Sequence, residues 1–123
     1  VALKRCVGNA LDISSATSET TLIATRCEFA NSFRGAIVNG SLTSATFKNC
    51  VFHDNEYDGI HFNATIHLHG EATAIHSNKR HGIYAISSGK VLIHLPSSHN
   101  TFYNNGEQDR YTMGGGTITN VED

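Results

Sequence analysis

Between residues 49 and 85 the chain writes one pattern twice. Cys50-Val51-Phe52-His53-Asp54-Asn55 leads to Asp58-Gly59-Ile60, and Thr73-Ala74-Ile75-His76-Ser77-Asn78 leads to His81-Gly82-Ile83. Phe52 and Ile75, Asn55 and Asn78, and Ile60 and Ile83 are all separated by one and the same interval. A fixed period of this size marks units that cannot bury their own apolar face and do so by stacking on copies of themselves. The fold must therefore accommodate a repeat before any single residue is considered.

Laid on that period, the chain divides into five partial coils, at about 1–24, 25–47, 48–70, 71–96 and 97–123. Phe29, Phe52, Ile75 and Phe102 make one apolar column; Ile37, Ile60 and Ile83 make a second; Leu22, Ala45, Leu68, Ile93 and Ile118 make a third. Short runs such as Ile66-His67-Leu68-His69 and Val91-Leu92-Ile93-His94 alternate apolar with polar residues, the pattern of a strand with one buried face. Turn formers collect between the runs, as in Asn39-Gly40-Ser41, Asp58-Gly59 and Asn104-Asn105-Gly106. No stretch sustains a helical period with caps. The expectation is an all-β fold, a parallel β-solenoid of about five coils of roughly 23–27 residues, with almost no α-helix and residues 1–123 in one domain.

Composition narrows the function classes. A net charge of -2 supplies no basic field for nucleic acid, and no apolar run approaches the length of a membrane span. The chain begins at Val1, carries its single Met at 113 and shows no charged-then-apolar leader, which predicts a processed or internal piece of a longer chain. Sequons at Asn39 and Asn63 agree with a secreted, cell-surface or organelle-lumen setting rather than the cytosol. Cys6, Cys27 and Cys50 fall at successive repeat positions, where small thiols serve as buried hydrophobes; a bond between Cys27 and Cys50 is the other reading.

The paired units from Cys50 and Thr73, with their shared Phe/Ile-His, Asn and Gly-Ile positions, resemble the right-handed parallel β-helix repeat of pectate lyases and related polysaccharide-active proteins. That resemblance implies a single-stranded right-handed β-helix and opens the possibility of a carbohydrate-binding domain or a lyase- or epimerase-like one. The ending His99-Asn100-Thr101 with Gly114-Gly115-Gly116-Thr117-Ile118-Thr119-Asn120-Val121 also looks like β-helix repeat proteins of algae and other protists, which carry no assigned activity.

The same period predicts which side chains meet outside the core. Glu56 should lie over Lys79, Asp58 over His81, and Tyr57 between Arg34 and Arg80 as a cation-π sandwich, with Glu107 closing the column. This polar turn stack reads either as a recognition ridge or as a device that fixes register. Outward columns of Ala30, His53, His76 and Tyr103, and of Val38, His61 and Tyr84, offer rings and hydrogen-bonding groups to a glycan or a protein partner. His67 and His69 share one face of a strand, and His94 follows His69 one coil later, so the three imidazoles are candidate zinc or copper ligands.

No catalytic residue and no cofactor are assigned. The dense acidic group Asp54, Glu56 and Asp58 faces Lys79 and Arg80, and no column of carboxylates runs along a face as acid-base or calcium chemistry would require. The leading expectation is a non-catalytic interaction module, a short solenoid docked as a scaffold or linker on a larger assembly. Carbohydrate binding is the alternative. Because the strand at the N-terminal end starts with no cap, that edge is expected to contact another chain or further coils.

Overall fold

A computed structural model describes residues 2–4, 8–13, 18–87, 89–94 and 102–121. Cys6 and His99 lie outside them. In chain order the strands are β1 (Ala2–Lys4), β2 (Leu11–Ile13), β3 (Thr20–Thr25), β4 (Glu28–Ala30), β5 (Ala36–Lys48), β6 (Val51–His53), β7 (Ile60–His69), β8 (Ala74–His76), β9 (Ile83–Ile86), β10 (Lys90–His94), β11 (Phe102–Tyr103), β12 (Arg110–Met113) and β13 (Thr117–Val121). Every pairing among them is parallel. No helix occurs among the described residues, so none is long and apolar enough to cross a membrane.

Each coil contributes strand to three faces. The first is the sheet β1-β4-β6-β8-β11. The second stacks β2, the first part of β5, the first part of β7, β9 and β12; the third stacks β3, the later part of β5, the later part of β7, β10 and β13. Four turns close between Leu3 and Phe102, and the stretch to Val121 adds an incomplete one, so the solenoid has about four turns rather than five.

Alternation places the core. Along β7 every second residue from Ile60 to Leu68 is buried and each residue between is half-buried, because successive side chains of a strand point to opposite faces. Phe52 stacks on Phe29 at 4.7 Å between ring centroids, and Phe47 meets both rings edge-on. Cys50 is buried among them and Cys27 packs beside; both are free thiols. Burial raises the Cys50 pKa, so this thiol behaves as a hydrophobe.

The first apolar column stands as the period requires, with Phe29 on Phe52, Phe52 on Ile75 and Ile75 on Phe102. The other two need correction. Ile60 pairs with Ala36, one position before the expected Ile37, which turns Ile37 outward beside His61. The outward column is therefore Ile37, His61, Tyr84, while Val38 is fully buried beside Phe62. The turn at positions 54–59 is longer by one than its counterpart at 31–35, and that addition causes the shift.

Ala45 pairs with Ile66, two positions short of the expected Leu68, and Leu68 pairs with Phe47 and Ile93. Here a bulge lies between Asn39 and Ser44, where β5 carries additional residues that β7 lacks. Slipping a strand by two positions keeps every inward side chain inward, so the apolar columns survive the error in register. The turn at 70–73 then restores the spacing, and Val51 pairs with Ala74 at the interval of the repeat.

The last rung differs in chemistry. Arg110, Thr112 and Asn120 occupy inward positions over Ile83, Ala85 and Ile93. The Arg110 guanidinium lies 4.8 Å from the Phe102 ring centroid, and burial lowers its pKa.

Candidate functional site

The corner between the first and second faces carries the repeated motif. Asn31, Asp54, Ser77 and Asn104 each take a left-handed backbone with φ near 55° (55°, 54°, 56° and 55°), directly after the strands of the first face. Asn, Asp and Ser tolerate that conformation better than β-branched residues do. The next residue in three of these coils is an asparagine pointing inward. Asn55 Nδ2 donates to Asn78 Oδ1 and Asn78 Nδ2 donates to Asn105 Oδ1, both at 2.9 Å.

The same amides donate to the carbonyls of Phe29, Phe52 and Ile75, and their oxygens accept from the backbone N–H groups of Ser32, Asn55 and Asn78. Asn55 and Asn78 are 1% exposed, so this ladder satisfies backbone groups that no water reaches. Gly59 follows because its position allows nothing larger. A Cβ there would stand 2.7 Å from both Gly82 O and Ile75 Cγ2, and 2.9 Å from the ladder amide of Asn78.

With the backbone so held, the outward side chains of the corner converge. Asp58 is 2% exposed. Its Oδ1 lies 3.1 Å from His81 Nδ1 and accepts from the His81 backbone N–H, while its Oδ2 lies 3.5 Å from Arg34 Nε and 3.6 Å from His61 Nδ1. Burial alone would raise the Asp58 pKa; interaction with His61 and the two contacts from His81 outweigh it and hold the carboxyl below the ordinary aspartate value. His81 reaches a second carboxylate, Glu107, through Nε2 at 3.1 Å, and Arg80 Nε approaches that same Glu107 at 3.4 Å.

Aromatic rings wall this arrangement. His81 stacks on Tyr111 at 4.5 Å and meets Tyr84 edge-on at 5.1 Å; Tyr84 and Tyr111 cross at 82° with centroids 5.0 Å apart. His61 packs on Tyr84 from the other side, 5.0 Å away. Arg80, His81, Tyr84, Glu107, Gln108, Tyr111 and Met113 line an open depression of about 340 Å³.

The other anticipated groups are placed as follows. The guanidinium carbons of Arg34 and Arg80 lie 5.1 and 5.2 Å from the Tyr57 ring centroid, and Phe33 tilts against the same ring. Glu56 and Lys79 share an open depression of about 310 Å³ but form no ion pair, and both are exposed. His53, His76 and Tyr103 stack at 5.0 and 4.5 Å within 5° of parallel, so their planes cover one another and edges remain outward. Ala30, at the head of that column, is fully buried.

His53 contacts Glu28 and Asp54; burial lowers its pKa, but the hydrogen bonds to Asp54 and Glu28 prevail and the net shift is upward. His76 is lowered by burial and by the His53 charge beside it. On the third face His67 Nδ1 lies 3.1 Å from His94 Nε2, and the His69 and His94 rings stack at 3.9 Å. Asn39 and Asn63 are register partners, both half-buried.

A model for the right-handed β-helix region matches residues 3–122. The chain belongs to the right-handed β-helix family. No curated protein and no solved structure matches it. Within this β-helix the repeat interval aligns Asp58 with His81 and, across the lengthened last coil, Arg80 with Glu107, while the outward column drawn from the sequence ends at Tyr84, short of Tyr111. These two are separated by the same interval as Ile75 and Phe102, longer than the interval from Phe52 to Ile75, so the lengthened last coil is the available signal. The asparagine ladder reads in sequence as turn residues, because polarity alone does not distinguish a solvated amide from a buried one.

Proposed function

We propose that this β-helix is a non-catalytic binding module that recognises a glycan at the depression between Tyr84 and Tyr111. The supporting observation is the pair of tyrosine rings crossing at 82° above a polar rim of Arg80, Glu107 and Gln108. Sugar C–H faces pack on aromatic planes while guanidinium, carboxylate and amide groups exchange hydrogen bonds with ring hydroxyls. Of the rings anticipated for this role, Tyr84 lines the depression and His61 packs against Tyr84, whereas His53, His76 and Tyr103 turn their planes to one another.

The use of the local carboxylates supports binding without turnover. Asp58 is held by His81, Arg34 and His61, and Glu107 by Arg80 and His81. General acid-base chemistry on a sugar needs a carboxyl poised toward the substrate with a pKa near the working pH, and Asp58 is shifted the wrong way for an acid. Glycan-array screening followed by calorimetry tests the reading. Tyr84→Ala and Tyr111→Ala should each abolish measurable binding while leaving circular dichroism unchanged; absence of any glycan ligand, or binding that survives both substitutions, refutes it.

A second reading, docking as a scaffold or linker, draws on the opposite end. Leu11, Leu22, Ile23, Ala24, Cys27 and Phe29 line an apolar depression of about 270 Å³, and Ile23 is 64% exposed. Among the described strands β3 pairs only with β5, which leaves its other edge open to a further strand. Light scattering that shows association at micromolar concentration, lost in Ile23→Ser, supports this reading; a monomer at every concentration with no recovered partner removes it.

A further inference from the structure

The outer side of the third face gathers three histidines from two successive coils. His67 and His69 alternate outward along β7, and His94 stands on the adjacent β10, where Ile93 pairs with Leu68. One nitrogen from each ring lies within 4.8 Å of those of the other two. His67 Nδ1 and His94 Nε2 are already 3.1 Å apart. Around a tetrahedral ion with nitrogens at about 2.0–2.1 Å, two ligating nitrogens stand roughly 3.3 Å from each other. The first pair meets that spacing, and His69 joins it by turning its ring, with no change in the strands.

We propose that His67, His69 and His94 bind a divalent transition metal of the zinc and copper class, with the fourth position open to water or to a donor from a bound partner. Three imidazoles suit these borderline ions, whereas calcium and magnesium require oxygen ligands that the cluster does not contain among the described residues. The hydrogen bond between the two rings gives way when the ion takes both nitrogens, and the ring that donated it carries its proton on its other nitrogen instead. Lys48, the register partner of His69, places a like charge beside the ion, so binding draws on ligation and not on a negative field.

Because the ligands come from β7 and β10, the metal clamps consecutive coils and stabilises the folded chain by an amount that grows with the logarithm of free metal above its dissociation constant. The site lies on a different face from the Tyr84 and Tyr111 depression, and it stands or falls independently of glycan binding.

Calorimetric titration of the chelator-treated chain with Zn²⁺ and with Cu²⁺ tests the site. One equivalent should bind, Cu²⁺ more tightly than Zn²⁺ in keeping with the usual order of affinities, and the Cu²⁺ form should show nitrogen hyperfine structure in its electron paramagnetic resonance spectrum. His94→Ala should weaken binding by more than the roughly 10–100-fold that follows loss of a group merely supporting a ligand. His67→Gln should do the same without altering circular dichroism, and it carries the test if His94→Ala does not fold. His53→Ala and His76→Ala should leave the affinity unchanged. No saturable binding, undiminished affinity in both His67→Gln and His94→Ala, or equal loss in His53→Ala would each overturn the assignment.

Discussion

At the corner between the first and second faces, the αL residue, inward asparagine and glycine of Asp54, Asn55 and Gly59 recur one coil later as Ser77, Asn78 and Gly82, and amides 2.9 Å apart join Asn55 to Asn78 and Asn78 to Asn105. At the corner between the second and third faces, β5 bulges between Asn39 and Ser44 while β7 passes without interruption. Ser41 and Leu42 of the bulge are exposed. Both corners turn the chain around the same core. One is set by buried backbone groups that must find partners, and the other only has to return the strand with its apolar residues facing in. Buried hydrogen-bonding demand enforces coil-to-coil repetition; parity alone tolerates insertions.

Substitutions should separate the two corners, the greatest loss coming where the ladder meets the core. Ile60→Asp, beside Gly59 and fully buried, should abolish the folded state, since an isolated carboxylate there costs several kcal/mol; loss of the β-sheet circular dichroism signal is the readout. Asn78→Ala should cost about 3 kcal/mol or more in urea unfolding, because it strands the N–H and amide of Asn55 and the carbonyl of Phe52 together. A loss below about 1 kcal/mol would mean the ladder is not what holds this corner.

Asp58→Asn should lower stability by a smaller amount and, more tellingly, change its pH dependence. With its pKa depressed in the folded state, wild-type Asp58 contributes stability that is complete above the ordinary aspartate value and is lost as pH falls through the lowered folded value. The acid limb of the stability curve should flatten in the variant; an identical limb would place the acid sensitivity elsewhere. Leu42→Ser, in the bulge and 48% exposed, should shift stability by no more than about 0.5 kcal/mol. A loss as large as that of Asn78→Ala would erase the distinction between the corners.

These differences explain which parts of the molecule are legible in advance. Phe29, Phe52, Ile75 and Phe102 keep their column because no insertion separates them within the first face. The period matches Leu68 with Ala45 although it stands on Phe47, since a slip of two positions leaves an equally apolar pattern and the period detects no fault. The added residue at 54–59, the bulge after Asn39 and the turn at 70–73 cancel over one coil, so the constant spacing hides three local departures. For the candidate site, the alignment of Tyr57 with Arg34 and Arg80 and of Asp58 with His81 is accessible from spacing. Whether rings present planes or edges is not: His53 and His76 occupy the register positions expected of them, yet they stack on one another.

The sequence by itself determined the class of fold, because a stacked repeat with period-two alternation leaves an apolar interior only as a parallel solenoid, and the members of its apolar columns other than Ile37 fall inward together. It also determined the outward pairs of His53 with His76 and of His61 with Tyr84. The tertiary structure alone decided register across the bulge, the burial of Asn55 and Asn78, and the convergence of His81, Glu107, Tyr84 and Tyr111 on one depression. Side-chain polarity and spacing are properties of the chain, whereas ring orientation, exposure and the partners of a charge depend on how far each coil is shifted against the next.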